Sequence, residues 1–90
     1  MSKKVIVIDD SALMRRVICD IIESDDRFTV ASTAANGLDA LDQIVKEPKR
    51  FDLAILDINM PKMNGIEFLE RIEKLNLSLK VIVVSTVAKE

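Results

Sequence analysis

Short runs of β-branched apolar residues alternate along this chain with segments of helical apolar spacing, and this alternation limits the possible folds to very few. The apolar runs occupy residues 4–9, 28–33, 52–57 and 80–85. The helical segments occupy residues 11–23, 37–47 and 65–75. Strands that alternate with helices at this spacing form βαβ units, and right-handed crossovers leave few topologies. The sequence therefore predicts an α/β domain with a parallel sheet in the order 2-1-3-4 and helices on both faces.

The helical segments carry apolar stripes that we expect to face this sheet. In the first helix the stripe fills one half of the helical wheel and consists of Leu13, Met14, Val17, Ile18, Ile21 and Ile22. In the second it consists of Leu38, Leu41, Ile44 and Val45, and in the third of Ile66, Leu69 and Ile72. The opposite half of the first helix holds Arg15, Arg16, Cys19 and Asp20. We therefore expect Cys19 at the edge or outside, and unreactive, and Ser11 or Asp10 as the helix cap.

Length and composition exclude several classes of protein. A chain of 90 residues forms at most one small domain, and its net charge of −2 without a basic block argues against contact with nucleic acid. The apolar runs are far shorter than the roughly 20 residues that span a bilayer, and no signal peptide is recognisable. No His and one Cys exclude a disulfide framework and an ordinary zinc site. We predict a soluble cytoplasmic domain with no membrane contact.

Polar residues follow three of the predicted strands directly. Asp9 and Asp10 follow the first strand, Asp57 ends the third, and Ser85 and Thr86 end the fourth. Ligands of open parallel sheets bind outside the carboxyl ends of the strands, near the switch point in strand order. The sequence therefore predicts that three carboxylates and two hydroxyls converge at one edge of the sheet.

Three neighbouring carboxylates repel one another unless a proton or a cation intervenes. Oxygen ligands without His or Cys suit a hard ion such as Mg²⁺. Magnesium with coordination sites left for phosphate oxygens is typical of phosphoryl transfer, and an aspartate can be the nucleophile. Each feature alone also has an ordinary structural interpretation as a cap, turn or strand end, and only their combination indicates this chemistry.

The same residues resemble the motifs of response-regulator receiver domains. The stretch from Val5 to Ser11 resembles the first strand and acidic pair of that family. Residues 52–61, followed by Met-Asn-Gly at 63–65, resemble its phospho-acceptor strand and loop. Residues 81–85 resemble its fourth strand with a hydroxyl residue. Within the family, residues 10–16 and 84–89 look most like chemotaxis receivers, first the regulatory half of the chemotaxis methylesterase and next the single-domain motor-switch regulators.

This resemblance implies a flavodoxin-like fold and a phospho-accepting role in a two-component system. Asp57 would be phosphorylated by a histidine kinase through its phosphohistidine. Asp10 would ligate Mg²⁺ directly, Asp9 directly or through water, and Asn59 through its backbone carbonyl, with Asp57 completing the protein ligands. A downstream effector domain or protein would receive the signal.

The hydroxyl residues of the fourth strand have implied roles as well. Ser85 would donate a hydrogen bond to a phosphoryl oxygen and report phosphorylation by shifting inward, and Thr86 is the second candidate for that role. The domain would be no enzyme beyond self-catalysed transfer and dephosphorylation, although a full-length parent could carry a methylesterase domain.

The chain departs from the family pattern at its C-terminal end. We interpret residues 1–90 as the N-terminal two-thirds of a receiver, without the fifth strand and the last two helices. The family's phosphate-binding lysine belongs to that fifth strand, and neither Lys62 nor Lys89 matches it, so we expect impaired phosphorylation. An apolar fourth strand at the sheet edge invites pairing with another chain. We therefore expect a homo-oligomer or a strand-swapped dimer.

Two other functions remain open. The chain could be a receiver-like module for interaction or dimerisation that is not phosphorylated, although the three intact aspartates argue against this. It could be a magnesium-dependent phosphohydrolase of the haloacid type, which also uses an aspartate at a strand end. Such enzymes need two aspartates one residue apart, whereas Asp9 and Asp10 are adjacent.

Overall fold

Parallel strands joined by helices make up the fold, and the computed structural model describes residues 2–58 and 65–84. The strands are β1 (Lys3–Ile8), β2 (Phe28–Ala34), β3 (Leu53–Asp57) and β4 (Lys80–Val84). The helices are α1 (Ala12–Glu23), α2 (Gly37–Lys46) and α3 (Gly65–Leu75). The four strands form one sheet in the order β2-β1-β3-β4. The predicted strand order is therefore confirmed.

The core lies between the sheet and helices α2 and α3. Along β1, successive side chains point to opposite faces, so Ile6 and Ile8 lie on one face and Val5 and Val7 on the other. All four are buried. The cluster around Ile6 and Ile8 includes Ala34, Ala40, Ile44, Phe51, Ala54, Leu56, Phe68 and Ile72. Helix α1 packs over β1 and β2, and we assign it to the face of Val5 and Val7.

Both helices that follow β1 and β2 begin at a capping side chain. The Ser11 hydroxyl accepts a hydrogen bond from the Met14 N–H at 3.2 Å, and the Asn36 side-chain oxygen accepts one from the Asp39 N–H at 2.8 Å. Such caps satisfy N–H groups that have no partner within the helix. Of the two predicted caps for α1, the structure selects Ser11. Only Asp9 and Asp10 therefore separate β1 from the cap of α1.

The pairing of β2 with β1 contains one irregularity. Val5 is opposite Val30 and Ile6 is opposite Ser32, so Ala31 is an extra residue in β2. The Arg50 guanidinium donates a hydrogen bond to the Ala31 carbonyl at 2.9 Å. An extra residue of this kind bends its own strand and leaves the partner strand regular. The irregularity is therefore confined to the edge strand, and β1 continues without interruption toward Asp9.

The predicted inner face of α1 is only partly correct. Met14, Ile18 and Ile22 are half-buried, whereas Leu13 and Ile21 are 72% and 65% exposed. Val17 is exposed as well. A helix that lies over two strands has room to bury only the narrow stripe that points at them. The outer half of the apolar stripe therefore faces away from the described sheet.

The predicted inner faces of the other two helices also need correction. In α3, Ile66 is 58% exposed, while Phe68, which the spacing argument left out, is fully buried. In α2, Ile44 is buried, but Leu38 and Val45 are exposed. The direction from which a helix approaches the sheet decides which neighbours along its apolar stripe are covered, and the sequence pattern does not contain that direction.

The single thiol of the chain lies at the margin of α1. Cys19 is half-buried, and this burial, together with the carboxylates of Glu23 and Asp20, raises the pKa of its thiol. A thiol with a raised pKa holds less of the reactive thiolate at neutral pH. The expectation of an unreactive Cys19 remains a prediction. No helix among residues 2–58 and 65–84 has the length and apolar character needed to cross a membrane.

Candidate functional site

The candidate site lies where β1 and β3 end beside each other. Ile8 of β1 is opposite Leu56 of β3, so the residues that follow them leave the sheet at the same edge. Asp9, Asp10 and Asp57 each offer a carboxylate oxygen there, and these oxygens lie within 4.8 Å of one another. The structure thus brings together the three carboxylates that the sequence placed at this edge.

Burial differs sharply among the three aspartates. Asp9 and Asp57 are only 1% and 2% exposed, whereas Asp10 is exposed. Buried carboxylates are costly unless they are hydrogen-bonded, protonated or neutralised by a cation. Two buried carboxylates behind one exposed carboxylate form a negative site with one side open to solvent. Such a site suits a cation that retains some water ligands.

Asp9 is held by contacts from three parts of the fold. Its N–H donates to the Ala34 carbonyl of β2 at 3.1 Å, which extends the sheet pairing by one residue. Its carboxylate accepts a hydrogen bond from the Ser11 N–H at 2.9 Å. Its carbonyl accepts one from the Arg15 guanidinium at 2.7 Å. These contacts fix the backbone and the side chain of Asp9 together.

Arg15 is the residue of this site that the sequence reasoning missed. The helical wheel placed it on the polar half of α1, with Arg16, and assigned it no role. In the structure Arg15 is half-buried and Arg16 is exposed. A long side chain near the N-terminus of a helix can reach back to the strand that precedes it, since helical side chains lean toward the N-terminus. This lean toward the N-terminus was the feature from which the contact of Arg15 with Asp9 could have been predicted.

Gly65 lies against the backbone that follows Asp57. Its N–H donates a hydrogen bond to the Ile58 carbonyl at 3.0 Å. A β-carbon at this position would lie 2.7 Å from the Ile58 Cα. Gly65 is the glycine of the Met-Asn-Gly stretch at 63–65, and its position against Ile58 is a steric reason for a residue without a side chain.

The remaining predicted site residues, Asn59, Ser85 and Thr86, lie outside the described residues, as do Lys62 and Lys89. Their predicted roles stay predictions. The carboxylates at hand fit the implied metal, because all three donors are oxygens, the ligands that Mg²⁺ prefers, and the three oxygens lie close enough to share an ion. Asp9, Asp10 and Asp57 are thus the described candidates to hold it.

Comparison with known proteins agrees with this geometry. The chain belongs to the response regulator receiver domain family, whose match covers residues 5–90. Membership in this family favours a receiver over a haloacid-type phosphohydrolase.

Within the family, the similarity is to chemotaxis proteins. Over 88 residues the chain is 48% identical to a protein-glutamate methylesterase/protein-glutamine glutaminase of Clostridium acetobutylicum. This alignment covers 97% of the chain and 25% of the relative, so the chain spans about a quarter of that protein's length. The resemblance to the receiver of the chemotaxis methylesterase is therefore confirmed.

Solved structures show the same relationship in three dimensions. The response regulator domain of Thermotoga maritima CheB superposes with a TM-score of 0.86 at 39% identity, covering 100% of this chain and 65% of that one. A chain from the crystal structure of the P1 domain of CheA3 in complex with CheY6 of R. sphaeroides superposes on this chain with a TM-score of 0.80 at 42% identity. That match covers 99% of this chain and 68% of the other. These likenesses confirm the flavodoxin-like receiver fold.

Proposed function

We propose that this chain accepts a phosphoryl group on Asp57, supplied by the phosphohistidine of a histidine kinase. One observation carries the proposal: Asp57 is nearly buried at the end of β3, with a carboxylate oxygen within 4.8 Å of those of Asp9 and Asp10. An acidic trio at the carboxyl edge of a parallel sheet is suited to an ion and a phosphoryl group together.

We assign Asp9, Asp10 and Asp57, with the backbone carbonyl of Asn59, to the binding of Mg²⁺. When bound, Mg²⁺ would neutralise charge on the acidic trio and on the phosphoryl oxygens. Asp10 supplies the solvent-exposed ligand of the set, and the buried Asp9 supplies one whose orientation the fold controls. The burial of the two side chains and the contact of Asp9 with Ser11 support these roles.

In the proposed reaction an Asp57 carboxylate oxygen attacks the phosphorus of the donor. An O–P bond to Asp57 forms, the P–N bond to the kinase imidazole breaks, and the imidazole nitrogen keeps the electron pair of the broken bond. An ionised carboxylate is itself the nucleophile, so this step needs no general base. Ser85 would donate a hydrogen bond to the phosphoryl group, with Thr86 as the alternative. Beyond this transfer and its own dephosphorylation, we assign the chain no enzymatic turnover.

The partners follow from the same proposal. The match to a CheY6 structure solved with the P1 domain of CheA3 supports a histidine kinase as phosphodonor. The likeness to methylesterases supports a chemotaxis pathway and a downstream effector. We propose that the chain acts in the cytoplasm, where such a relay would place it, without direct contact with nucleic acid or membrane.

The test is intact mass spectrometry of the chain after incubation with Mg²⁺ and acetyl phosphate. We expect a gain of one phosphoryl group in the wild type and none in Asp57→Asn. Asp52→Asn is the matched control, because Asp52 is an exposed aspartate directly before β3, at the opposite end from Asp57. It should be phosphorylated like the wild type.

Two outcomes would contradict the proposal. A gain of mass that persists in Asp57→Asn would mean that another residue is the acceptor. No gain in the wild type, under conditions where a known receiver is modified, would mean that this chain is no phospho-acceptor. The rate of phosphorylation in the wild type also measures the impairment expected without the family's phosphate-binding lysine.

We also propose that two copies of the chain associate through β4. In the described sheet β4 is an edge strand, and its Ile82 and Val83 side chains are 51% and 42% exposed. The Lys80 N–H donates to the Asp52 carbonyl and the Val84 carbonyl accepts from the Ile58 N–H. Backbone groups alternate in direction along a parallel strand, so those of Val81 and Val83 point to the outer edge. An edge of this kind can pair with another copy.

Light scattering at micromolar concentration tests this association. We expect a dimer in the wild type and a monomer in Val83→Pro, which removes only an outward N–H group and keeps the pairing with β3. Ile82→Pro is the contrasting variant, since it would remove an N–H group that points to β3 and should disrupt the pairing of β4 with β3. A well-behaved wild-type monomer would contradict the proposal.

A further inference from the structure

Arg15, in the first turn of α1, contacts the backbone directly after β1. Its Nη1 group donates a hydrogen bond to the Asp9 carbonyl at 2.7 Å, in a partly buried position. This carbonyl belongs to the first residue beyond β1, where regular pairing of the strand stops. The contact therefore holds the backbone at the point where the chain leaves the sheet and enters the candidate site.

We propose that Arg15 is a positioning residue for the Asp9–Asp10 pair, an inference that rests on the function proposed above. The Asp9 carbonyl and the Asp10 N–H belong to one planar peptide unit. A donor that fixes this carbonyl also fixes the direction in which Asp10 leaves the strand. Asp9 itself is held by Ala34 and Ser11. Arg15 thus acts on the exposed member of the acidic pair through the backbone.

The charge of Arg15 and its proposed positioning role predict opposite effects of its removal on Mg²⁺ binding. The guanidinium that contacts the Asp9 carbonyl adds a positive charge beside the site and so repels Mg²⁺, and its removal should strengthen Mg²⁺ binding. Loss of a positioning contact should weaken it, because groups that orient metal ligands contribute strongly to affinity. The sign of the change in affinity therefore separates the two roles.

Calorimetric titration with Mg²⁺ compares Arg15→Met with Arg16→Met in the 90-residue chain. Both variants lose one positive charge from neighbouring positions of α1, and Arg16 is exposed. We expect Arg15→Met to bind Mg²⁺ about ten-fold more weakly than Arg16→Met, the lower end of what loss of an orienting contact costs. Equal or tighter binding by Arg15→Met would overturn the proposal.

A second measurement needs no metal. The Ser11 N–H donates to the Asp9 carboxylate, so its hydrogen exchange reports how well the turn is held. In metal-free protein we expect faster exchange at Ser11 in Arg15→Met than in Arg16→Met, with the core amides of β1 equal in both. Equal exchange at Ser11 would also overturn the proposal. Should Arg15→Met fail to fold, the same comparison is made between Arg15→Lys and Arg16→Lys, where the charge is constant.

These readouts separate the failure of this inference from the failure of the proposed function. If the wild type binds no Mg²⁺ but Ser11 exchanges faster in Arg15→Met, Arg15 positions the turn and the metal assignment is wrong. If the wild type binds Mg²⁺ and Arg15→Met binds it at least as tightly as Arg16→Met does, the metal assignment stands and Arg15 has no positioning role.

Discussion

A β-carbon added to Gly65 would lie 2.7 Å from the Cα of Ile58, the residue directly after Asp57. The Gly65 N–H donates to the carbonyl of the same Ile58 at 3.0 Å. The first residue of α3 is therefore in direct contact with the backbone that leaves the candidate phospho-acceptor. A change of side chain at Gly65 acts on that backbone, because a Cα atom cannot move aside as a flexible side chain can.

Gly65→Ala should destabilise the fold although alanine favours helices. Helix propensity favours alanine over glycine by at most about 1 kcal/mol, the value for a helix interior, and Gly65 is the first residue of its helix. Forcing an extra carbon into a packed region costs about 1–3 kcal/mol, and the obstacle here is backbone. We expect a net loss in the free energy of unfolding, measured by urea denaturation. Glu70→Ala, an exposed change in the same helix, is the control, and a Gly65→Ala variant as stable as the wild type would disprove the steric argument.

Phe68 and Ile66 should respond very differently to truncation. Phe68 is fully buried, so Phe68→Ala should lower the free energy of unfolding by about 3–5 kcal/mol. Ile66 is 58% exposed, so Ile66→Ala should change it by about 0.5 kcal/mol or less. The two variants share a helix and lie two residues apart, and urea denaturation compares them directly. Equal losses would contradict this orientation of α3, and a larger loss for Ile66→Ala would mean that the opposite face of the helix packs on the sheet.

The sequence predicts those parts of the fold that depend on local composition. It does not predict those that depend on how elements and side chains are placed relative to one another. The ends of β1 and β3 are defined by local composition, so the meeting of Asp9, Asp10 and Asp57 followed from strand order alone. The exposure of Ile66 depends on the approach of α3 to the sheet, which no local pattern contains. The contact of Arg15 with Asp9 depends on the reach of one side chain across a turn, and residue type alone does not reveal it.

Removal of Asp57's charge should raise stability in the absence of Mg²⁺. Asp57→Asn removes one of three mutually repelling carboxylates, two of which are buried. We expect a higher melting temperature for Asp57→Asn than for the wild type in chelator. Added Mg²⁺ should stabilise the wild type, by about 2.7 kcal/mol at a hundred times its dissociation constant. The gain should shrink in Asp57→Asn. A variant that is less stable in chelator would show that Asp57 is held by favourable contacts instead.

The Asp25 carboxyl, which is paired with Arg27, should titrate at a lower pH than an ordinary aspartate. Hydrogen bonds from Arg27 lower the pKa of the Asp25 carboxyl from 3.8 to about 2. Because the pKa of Asp25 is lower in the folded state, the Asp25–Arg27 pair contributes to the free energy of unfolding above pH 3.8. This contribution is lost as pH falls from 3.8 toward 2. We expect it to be small, because the pair is exposed. The carboxyl chemical shift of Asp25 should show a midpoint near 2, and Arg27→Met should return it toward 3.8. An ordinary midpoint in the wild type would mean that the pair does not persist in solution.

The extra residue Ala31 in β2 has a consequence for how this domain can tolerate insertions and deletions. An added residue at the edge strand changes β2 locally, and Arg50 binds the displaced carbonyl. The same addition within β1 or β3 would turn every following side chain to the other face of the sheet. Asp9 or Asp57 would then point away from its partners. Changes in length should therefore accumulate in β2 and be eliminated from the two central strands during evolution.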